Sequence, residues 1–369
     1  MPLKAIGEIP QCETRRSRFY SAASLKGKAV PPREWLVPDL VPMRTVTLIS
    51  GDGGTGKSLL ALQLAVASAS SGDWLRKEVQ PGRVIVLSAE DDDDELHRRL
   101  GAVLAAVGKT YDDVAGLTMR SLAGEDALLA VESQLSLLQS ELFDELEARA
   151  ADEQPALIVL DTLADVYPSS ENDRTKVRQF IGILRGLAIR QRCAVMLLGH
   201  PSLTGMASGS GASGSTAWNN SVRSRLYLSR ISEDGYEPDP DKRVLTTKKA
   251  NYGRVGEEIL LTWQAGVFEP EPAPSSVEVM TAAAKAERIF LALLDQFTAE
   301  ERFVSSTPCA TYAPTQFAKH PNAEGVRKAA FATAMNNLFG RGEIVNAKHG
   351  TGAKARSHLA RPGHEGDGQ

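Results

Sequence analysis

The stretch Val46–Ser58, VTLISGDGGTGKS, decides the fold of this 369-residue chain. Its first five residues form an apolar, β-branched run, and Gly51-Asp52-Gly53-Gly54-Thr55-Gly56-Lys57-Ser58 follows at once in the pattern GxxxxGK[ST]. Leu59–Ser71 then carries apolar residues at helical spacing. A strand, a glycine-rich turn and a helix in that order make a phosphate-binding loop. Glycines let backbone N–H groups curl around phosphate oxygens without a Cβ in the way. The helix start adds its positive dipole end. Lys57 is expected to reach the β- and γ-phosphates and the Ser58 hydroxyl to ligate Mg²⁺. The bland alternative is a glycine-rich turn with a chance lysine, which the flanking strand and helix argue against.

Working outward, apolar strands are expected at Val84–Leu87, Ala156–Leu160 and Ala194–Leu198, with helical patterns near Leu96–Val107, over Val131–Ala150 and over Thr175–Gln191. Strands alternating with helices imply a mostly parallel sheet covered on both faces. Arg225–Ser229, Arg243–Thr247 and Glu257–Trp263 are expected to extend it as antiparallel strands. Strand C-termini in a parallel sheet share one edge, and three of them end in polar residues. Asp161 closes Leu157–Leu160; a carboxylate there makes sense if it holds the water shell of Mg²⁺, the alternative being a turn cap. Glu90 follows Val84–Leu87 and can deprotonate an attacking water, unless it merely begins the solvated helix start Glu90–Glu95. Asp91–Asp94 are read as capping and surface charge. His200 ends the fourth strand, where it could sense the terminal phosphate, although a lone histidine is often structural.

Flanking regions organise the rest. Residues 1–30 read as a flexible arm, 31–268 as the α/β domain, 269–276 as a linker stiffened by Pro270, Pro272 and Pro274, 277–360 as a second domain, and 361–369 as a frayed tail. The second domain is expected to contain a helix (Val277–Phe297), a short helix near Thr315–Lys319, a longer helix (Glu324–Phe339) and a hairpin from Glu343. That is the order of a small α+β winged helix-turn-helix.

Charge is unevenly distributed within a net of −4. Residues 1–35 carry seven Lys/Arg against three Asp/Glu, and residues 277–369 carry eleven against nine. A nucleic-acid contact therefore has to be a local patch. Arg341, Lys348, Lys354, Arg356 and Arg361 against Glu343 make the expected wing basic; DNA contact, partner docking and simple solvation all remain open for it. The three cysteines show no metal or disulfide spacing. With no signal core or membrane-length apolar run, the chain reads as cytoplasmic.

Gly51–Ser58, Ser88-Ala89-Glu90-Asp91, Leu160-Asp161-Thr162-Leu163, Gly199-His200 and Lys249-Ala250-Asn251-Tyr252-Gly253 together resemble the RecA-like P-loop ATPase core. The resemblance is to the branch of plasmid RepA-type hexameric replicative helicases and related phage and prophage ATPases, and it covers roughly residues 35–265. It implies ATP and Mg²⁺ as cofactors, a homo-oligomeric, hexameric ring, and single-stranded DNA as partner in replication of a mobile element. It also implies an arginine, Arg223, entering the neighbouring subunit's site, with Lys249 assisting at the nucleotide; Arg225 and Lys248 are their rivals. By the same resemblance Gly205–Ser215 occupies the DNA-contacting position, yet it contains no Lys or Arg. The tail resembles the helix-turn-helix appendage of prophage ATPases, a place for a replication partner to dock. The expected activity is a helicase-like motor. An ATP-gated DNA-binding or assembly switch without unwinding is the alternative, and a KaiC-like regulator is disfavoured by the basic wing.

Overall fold

A computed structural model describes residues 19–134, 136–200, 216–232, 236–272, 275–349 and 356–363. The chain forms two compact units, Met1–Glu271 and Pro272–Gln369.

In the first unit the strands are β1 (Val46–Gly51), β2 (Val84–Ser88), β3 (Leu117–Ser121), β4 (Leu157–Asp161), β5 (Ala194–Gly199), β6 (Ser224–Arg230), β7 (Lys242–Ala250), β8 (Glu258–Gln264) and β9 (Val267–Pro270). They make one sheet in the order β9-β8-β7-β6-β1-β5-β4-β2-β3. From β6 to β3 every neighbouring pair is parallel, and β7, β8 and β9 continue antiparallel. The helices are α1 (Lys57–Ala69), α2 (Asp93–Val107), α3 (Glu141–Glu153), α4 (Leu163–Val166), α5 (Arg174–Arg190) and α6 (Thr216–Ser221).

The central strands are apolar throughout because both faces are covered. Leu48, Ile158, Leu160, Val195 and Leu197 face a core with Phe143 of α3, Phe180 and Leu184 of α5 and Trp218 of α6. Ile49, Leu157, Val159, Met196 and Leu198 alternate with them and pack on Leu60 and Leu64 of α1 and on Leu36 and Leu40. The period of two along each strand distributes its side chains between the two cores.

Several expectations change. Arg225–Ser229 was expected to be antiparallel, but β6 runs parallel to β1, with Leu226 opposite Ile49 and Leu228 opposite Gly51. The chain crosses over after β5 and re-enters the sheet in the same direction, which antiparallel pairing with β1 would not allow. The helix expected over Val131–Ala150 begins only at Glu141; Ala130–Glu132 and Leu137–Gln139 form a small antiparallel hairpin before it. Two tertiary contacts override the periodicity: the Leu137 N–H donates to Gln179 Oε1 of α5, and Leu129 and Ala130 are fully buried. Ser140 then starts α3, its hydroxyl accepting from the Phe143 N–H at 3.2 Å. Leu117–Ser121, not anticipated as a strand, supplies the edge of the sheet. Glu269 and Pro270 belong to β9 rather than to a linker. The Gly205–Ser215 loop and most of the N-terminal arm lie outside the described residues.

The second unit contains α7 (Ser276–Ala299), α8 (Ala313–Ala318), α9 (Lys328–Gly340), β10 (Val345–His349) and β11 (Arg356–Ala360). Ser275 and Glu278 form a reciprocal capping box at the start of α7. Phe290, Phe297, Phe317 and Phe331 form the centre of its core, with Phe290 and Phe317 edge to face at a 4.9 Å centroid separation. The Leu359 N–H donates to Val304 O and so ties the hairpin to the segment after α7.

Ser140→Ala is expected to lower unfolding free energy by about 1 kcal/mol, as loss of a helix N-cap does. Urea denaturation followed by circular dichroism measures it.

Candidate nucleotide site

Because the parallel strands all end on one edge, the residues following β1, β2, β4 and β5 meet there. Gly199 lies opposite Ser50, and Asp161 opposite Ser88. This brings Lys57, Ser58, Glu90, Asp161 and His200 together.

The loop Gly51–Ser58 is shaped by its neighbours. A Cβ at Gly51 would sit 2.3 Å from the carbonyl oxygen of Leu228. Gly56 has φ +94°, and a Cβ there would lie 2.4 Å from the Phe268 ring. Neither position tolerates a side chain. The Gln63 side-chain amide locks Phe268 by donating to its carbonyl and accepting from its N–H, both at 2.9 Å. Thr55 closes the turn, its N–H and hydroxyl donating to Asp52 O at 3.3 and 2.8 Å. Strands β6 and β7 grip the outside: Arg243 Nε of β7 donates to Thr55 O at 3.3 Å, and Arg230 Nη2 of β6 to Gly54 O at 3.4 Å. The Tyr227 hydroxyl donates to an Asp52 carboxylate oxygen at 3.4 Å. With their carbonyls held outward, the loop's N–H groups are left to line a cradle for phosphate oxygens.

Lys57 is buried, and its Nζ donates to the carbonyls of Gly51 (2.8 Å) and Asp52 (3.1 Å). Burial pulls its pKa below the ordinary lysine value, and the negative charges of Asp161, Glu90 and Asp52 oppose that shift. His200 Nδ1 is 3.5 Å from Lys57 Nζ, and His200 Nε2 is 3.7 Å from Glu90 Oε1. His200 therefore stands between the ammonium and the carboxylate.

Asp161 is only 5% exposed, and its Oδ1 has no hydrogen-bond partner among the described residues. Burial pushes its carboxyl up to about 6; Glu90 and Asp91 add to that, while a hydrogen bond from Ser58 and the charge of Lys57 oppose it. A buried, orphaned carboxylate oxygen beside a hydroxyl fits a hard, hydrated cation, which takes oxygen ligands and keeps several waters. Among the described residues no three His, Cys, Asp or Glu side chains cluster as a direct metal cage. Ser58 would ligate Mg²⁺ directly and Asp161 would hold its water shell, leaving further positions to phosphate oxygens. The bound cation would supply charge neutralisation at the β- and γ-phosphates. Glu90, about half exposed at the mouth, is the carboxylate free to accept a proton from water there.

Arg223 and Lys249 are elsewhere. The Arg223 N–H donates to Val46 O, at the beginning of β1. The phosphate loop begins five residues further along β1, roughly 16 Å away at strand rise. Lys249 is paired with Arg225 at that far edge, so it lies with Arg223 and away from the phosphate loop of its own chain. Its Nζ donates to Asn219 O at 2.5 Å, at the end of α6. Burial, then the charges of Arg223 and Arg225, lower its pKa. Of the two candidate arginines, Arg223 is half-buried, whereas Arg225 is only 6% exposed.

Asp91 is a second correction. Its side chain is 12% exposed and pairs with Arg99 Nη1 at 2.6 Å, so it is no surface charge. Asp92 does cap α2, accepting from the Glu95 N–H at 2.8 Å. Arg230 and Arg243 escaped the sequence reading altogether; a basic residue at a core-facing position of β7 was the one available signal for Arg243. In the second unit the expected basic wing is partly neutralised. Arg341 pairs with Glu287 of α7 and with Glu343, both at 2.7 Å, and Arg361 pairs with Asp295 of α7 at 3.0 Å.

A phosphate loop at the end of a parallel strand, with a buried lysine and a carboxylate-tipped strand two positions away, defines the class of P-loop nucleotide-binding α/β proteins. A family model described as an AAA domain matches residues 13–206, more than half of the chain. The chain belongs to the AAA domain family. It is 26% identical over 166 residues to the DNA repair protein RadA of Synechocystis sp., an alignment covering 44% of this chain and 30% of that protein. The chain thus spans about a third of that relative's length (30%). Among solved structures it is similar to the RadB recombinase, at 16% identity and a TM-score of 0.43, covering 63% of this chain and 93% of that one. No helix among the described residues is long and apolar enough to cross a membrane.

A carboxyl raised by burial binds its proton more tightly in the folded than in the unfolded chain. Its stabilising contribution is full below about pH 4 and is lost as pH rises through about 6. Asp161→Asn, in metal- and nucleotide-free buffer, is therefore expected to gain stability relative to wild type between pH 4 and pH 7. The gain should be on the order of 2–3 kcal/mol, read from urea titrations at the two pH values.

Proposed function

We propose that this chain is a Mg·ATP-hydrolysing, RecA-like motor of the RepA-type branch that acts on single-stranded DNA in the cytoplasm. In this reading it is a helicase or helicase-like replication factor of a mobile element, working as a homo-oligomeric, hexameric ring. The observation that carries it is the separation of charges along the sheet. Lys57, Ser58, Glu90, Asp161 and His200 converge at one edge, while Arg223 and Lys249 occupy the other.

In that reading Gly51–Ser58 cradles the triphosphate and Lys57 swings from its carbonyl partners to the β/γ-phosphates. Glu90 takes a proton from the attacking water. His200, lying between Lys57 and Glu90, responds to loss of the terminal phosphate and passes that change to the segment beginning at Pro201. Arg223 serves the neighbour's site. What supports this is that Arg223 and the phosphate loop of one chain cannot meet, so a head-to-tail contact between copies is the arrangement that joins them. Such heterologous contacts close into rings when the rotation allows. A guanidinium inserted across that contact neutralises developing γ-phosphate charge only in the assembled state. A DNA-associated role is suggested by the likeness to a protein named for DNA repair.

A second reading, an ATP-gated DNA-binding or assembly switch, is favoured by two observations. Gly205–Ser215 has no basic residue, and Arg341 and Arg361 are tied to carboxylates of their own unit. A phosphate-gripping surface needs free cations. In this version the second unit docks a replication partner rather than DNA.

Lys57→Ala and Arg223→Ala should each lower ATP hydrolysis at least about 100-fold, the lower range for loss of such groups. Mixing the two inactive variants should restore activity, because one supplies an intact phosphate loop and the other an intact arginine. Full activity in Lys57→Ala, or no recovery on mixing, refutes the site or its trans completion respectively. Strand-displacement assays with and without ATP distinguish the readings: the motor unwinds a tailed duplex, and the switch binds DNA in an ATP-dependent way without unwinding.

A further inference from the structure

Among the described residues the Glu90 side chain makes one weak polar contact, at 3.7 Å to His200, and it is about half exposed. Its own interactions therefore do little to aim it, and its direction must come from the backbone that carries it. That backbone is pinned on both sides. Before it, the Ala89 N–H donates to Asp161 O at 2.6 Å, tying the turn to the end of β4. After it, Asp91 is held at three points. Its N–H donates to Ser88 Oγ at 3.3 Å, its carbonyl accepts from Ser121 Oγ of β3 at 2.8 Å, and its carboxylate pairs with Arg99 of α2 at 2.6 Å. Arg99 is in turn fixed by Glu95, one helical turn earlier, at 2.9 Å. The pair closes one side of a cavity of about 20 Å³, whose other walls include Ser58, Ser88 and Asp161. That volume admits one water.

We infer that the Arg99–Asp91 ion pair is a positioning device for Glu90: it clamps the residue after the nucleophile-activating carboxylate to α2 and β3, and so holds Glu90 in line with the terminal phosphate. The inference rests on the reading of Glu90 as the group that activates water. Asp91 and Arg99 touch neither nucleotide nor water in the reaction; they act through the turn. A carboxylate displaced by about 1 Å loses on the order of a hundredfold in rate while phosphate binding, made by Gly51–Ser58, is retained. Arg98, adjacent in sequence, pairs with Asp94 and Glu95 on the exposed side of α2, and offers a control that changes charge without touching the clamp.

The test uses full-length Arg99→Ala, Arg99→Lys, Asp91→Asn, Arg98→Ala and Glu90→Gln. Hydrolysis of Mg·ATP is followed by phosphate release, and binding by a fluorescent ATP analogue. Arg99→Ala and Asp91→Asn should lower kcat by about 10- to 100-fold with KM and analogue affinity within about threefold of wild type. Arg99→Lys should recover part of kcat because it restores the charge without the fork. Arg98→Ala should match wild type. An unchanged kcat in Arg99→Ala overturns the inference, and so does a loss of affinity that parallels the loss of kcat. If Glu90→Gln itself turns over at the wild-type rate, the reading of the site fails. If Glu90→Gln is inactive while Arg99→Ala is not, only the clamp fails.

Discussion

The ammonium of Lys57 is the charge around which the nucleotide edge of this protein is organised. It is buried, it donates to two carbonyls of its own loop, and it feels the carboxylates of Asp161, Glu90 and Asp52. A buried cation is costly unless paired and hydrogen-bonded. Even beside that ammonium, burial raises the carboxyl of Asp161, and Glu90 and Asp91 raise it further. The groups stabilise one another only because the strands bearing them run parallel and end level. Reversing one strand would carry its acid to the far edge of the sheet.

That dependence explains the strands added beyond β1. Strands β6 to β9 contribute no nucleophile or acid, yet they press on the loop from outside. Leu228 O excludes a side chain at Gly51, the Phe268 ring excludes one at Gly56, and Arg243 and Arg230 hold the carbonyls of Thr55 and Gly54. A loop of four glycines in eight residues has a large conformational entropy to lose. Anchoring it to a preformed sheet places that loss in folding rather than in nucleotide binding. Two clefts of the first unit, about 500 Å³ between α1, α2 and β9 and about 490 Å³ between β3 and α3, lie away from this edge.

The second unit teaches a different lesson about charge. Counted along the chain, its hairpin region is basic; folded, Arg341 meets Glu287 and Arg361 meets Asp295, both acids being on α7 far earlier in sequence. Linear charge overstates electrostatic potential wherever the neutralising partner comes from another element. Asp91 is the converse case: it looked like surface charge because it opens an acidic run, yet it turns inward to Arg99.

From its residues alone the chain determined the phosphate loop, four of the parallel strands, the two acids and the histidine at their tips, and the helical order of the second unit. Local patterns suffice there, because an apolar run with a glycine-rich exit has few ways to bury itself and still satisfy its backbone. Tertiary structure decided the rest. The direction of β6 depended on a crossover that no local pattern encodes, and the hairpin before α3 on contacts with α5 that outweighed a helical period. The ties of the Glu90 turn to Asp161 and Ser121, the grip on the loop by Arg243, and the distance from Lys57 to Arg223 and Lys249 arise between residues far apart in sequence. Only packing brings such residues together or holds them apart.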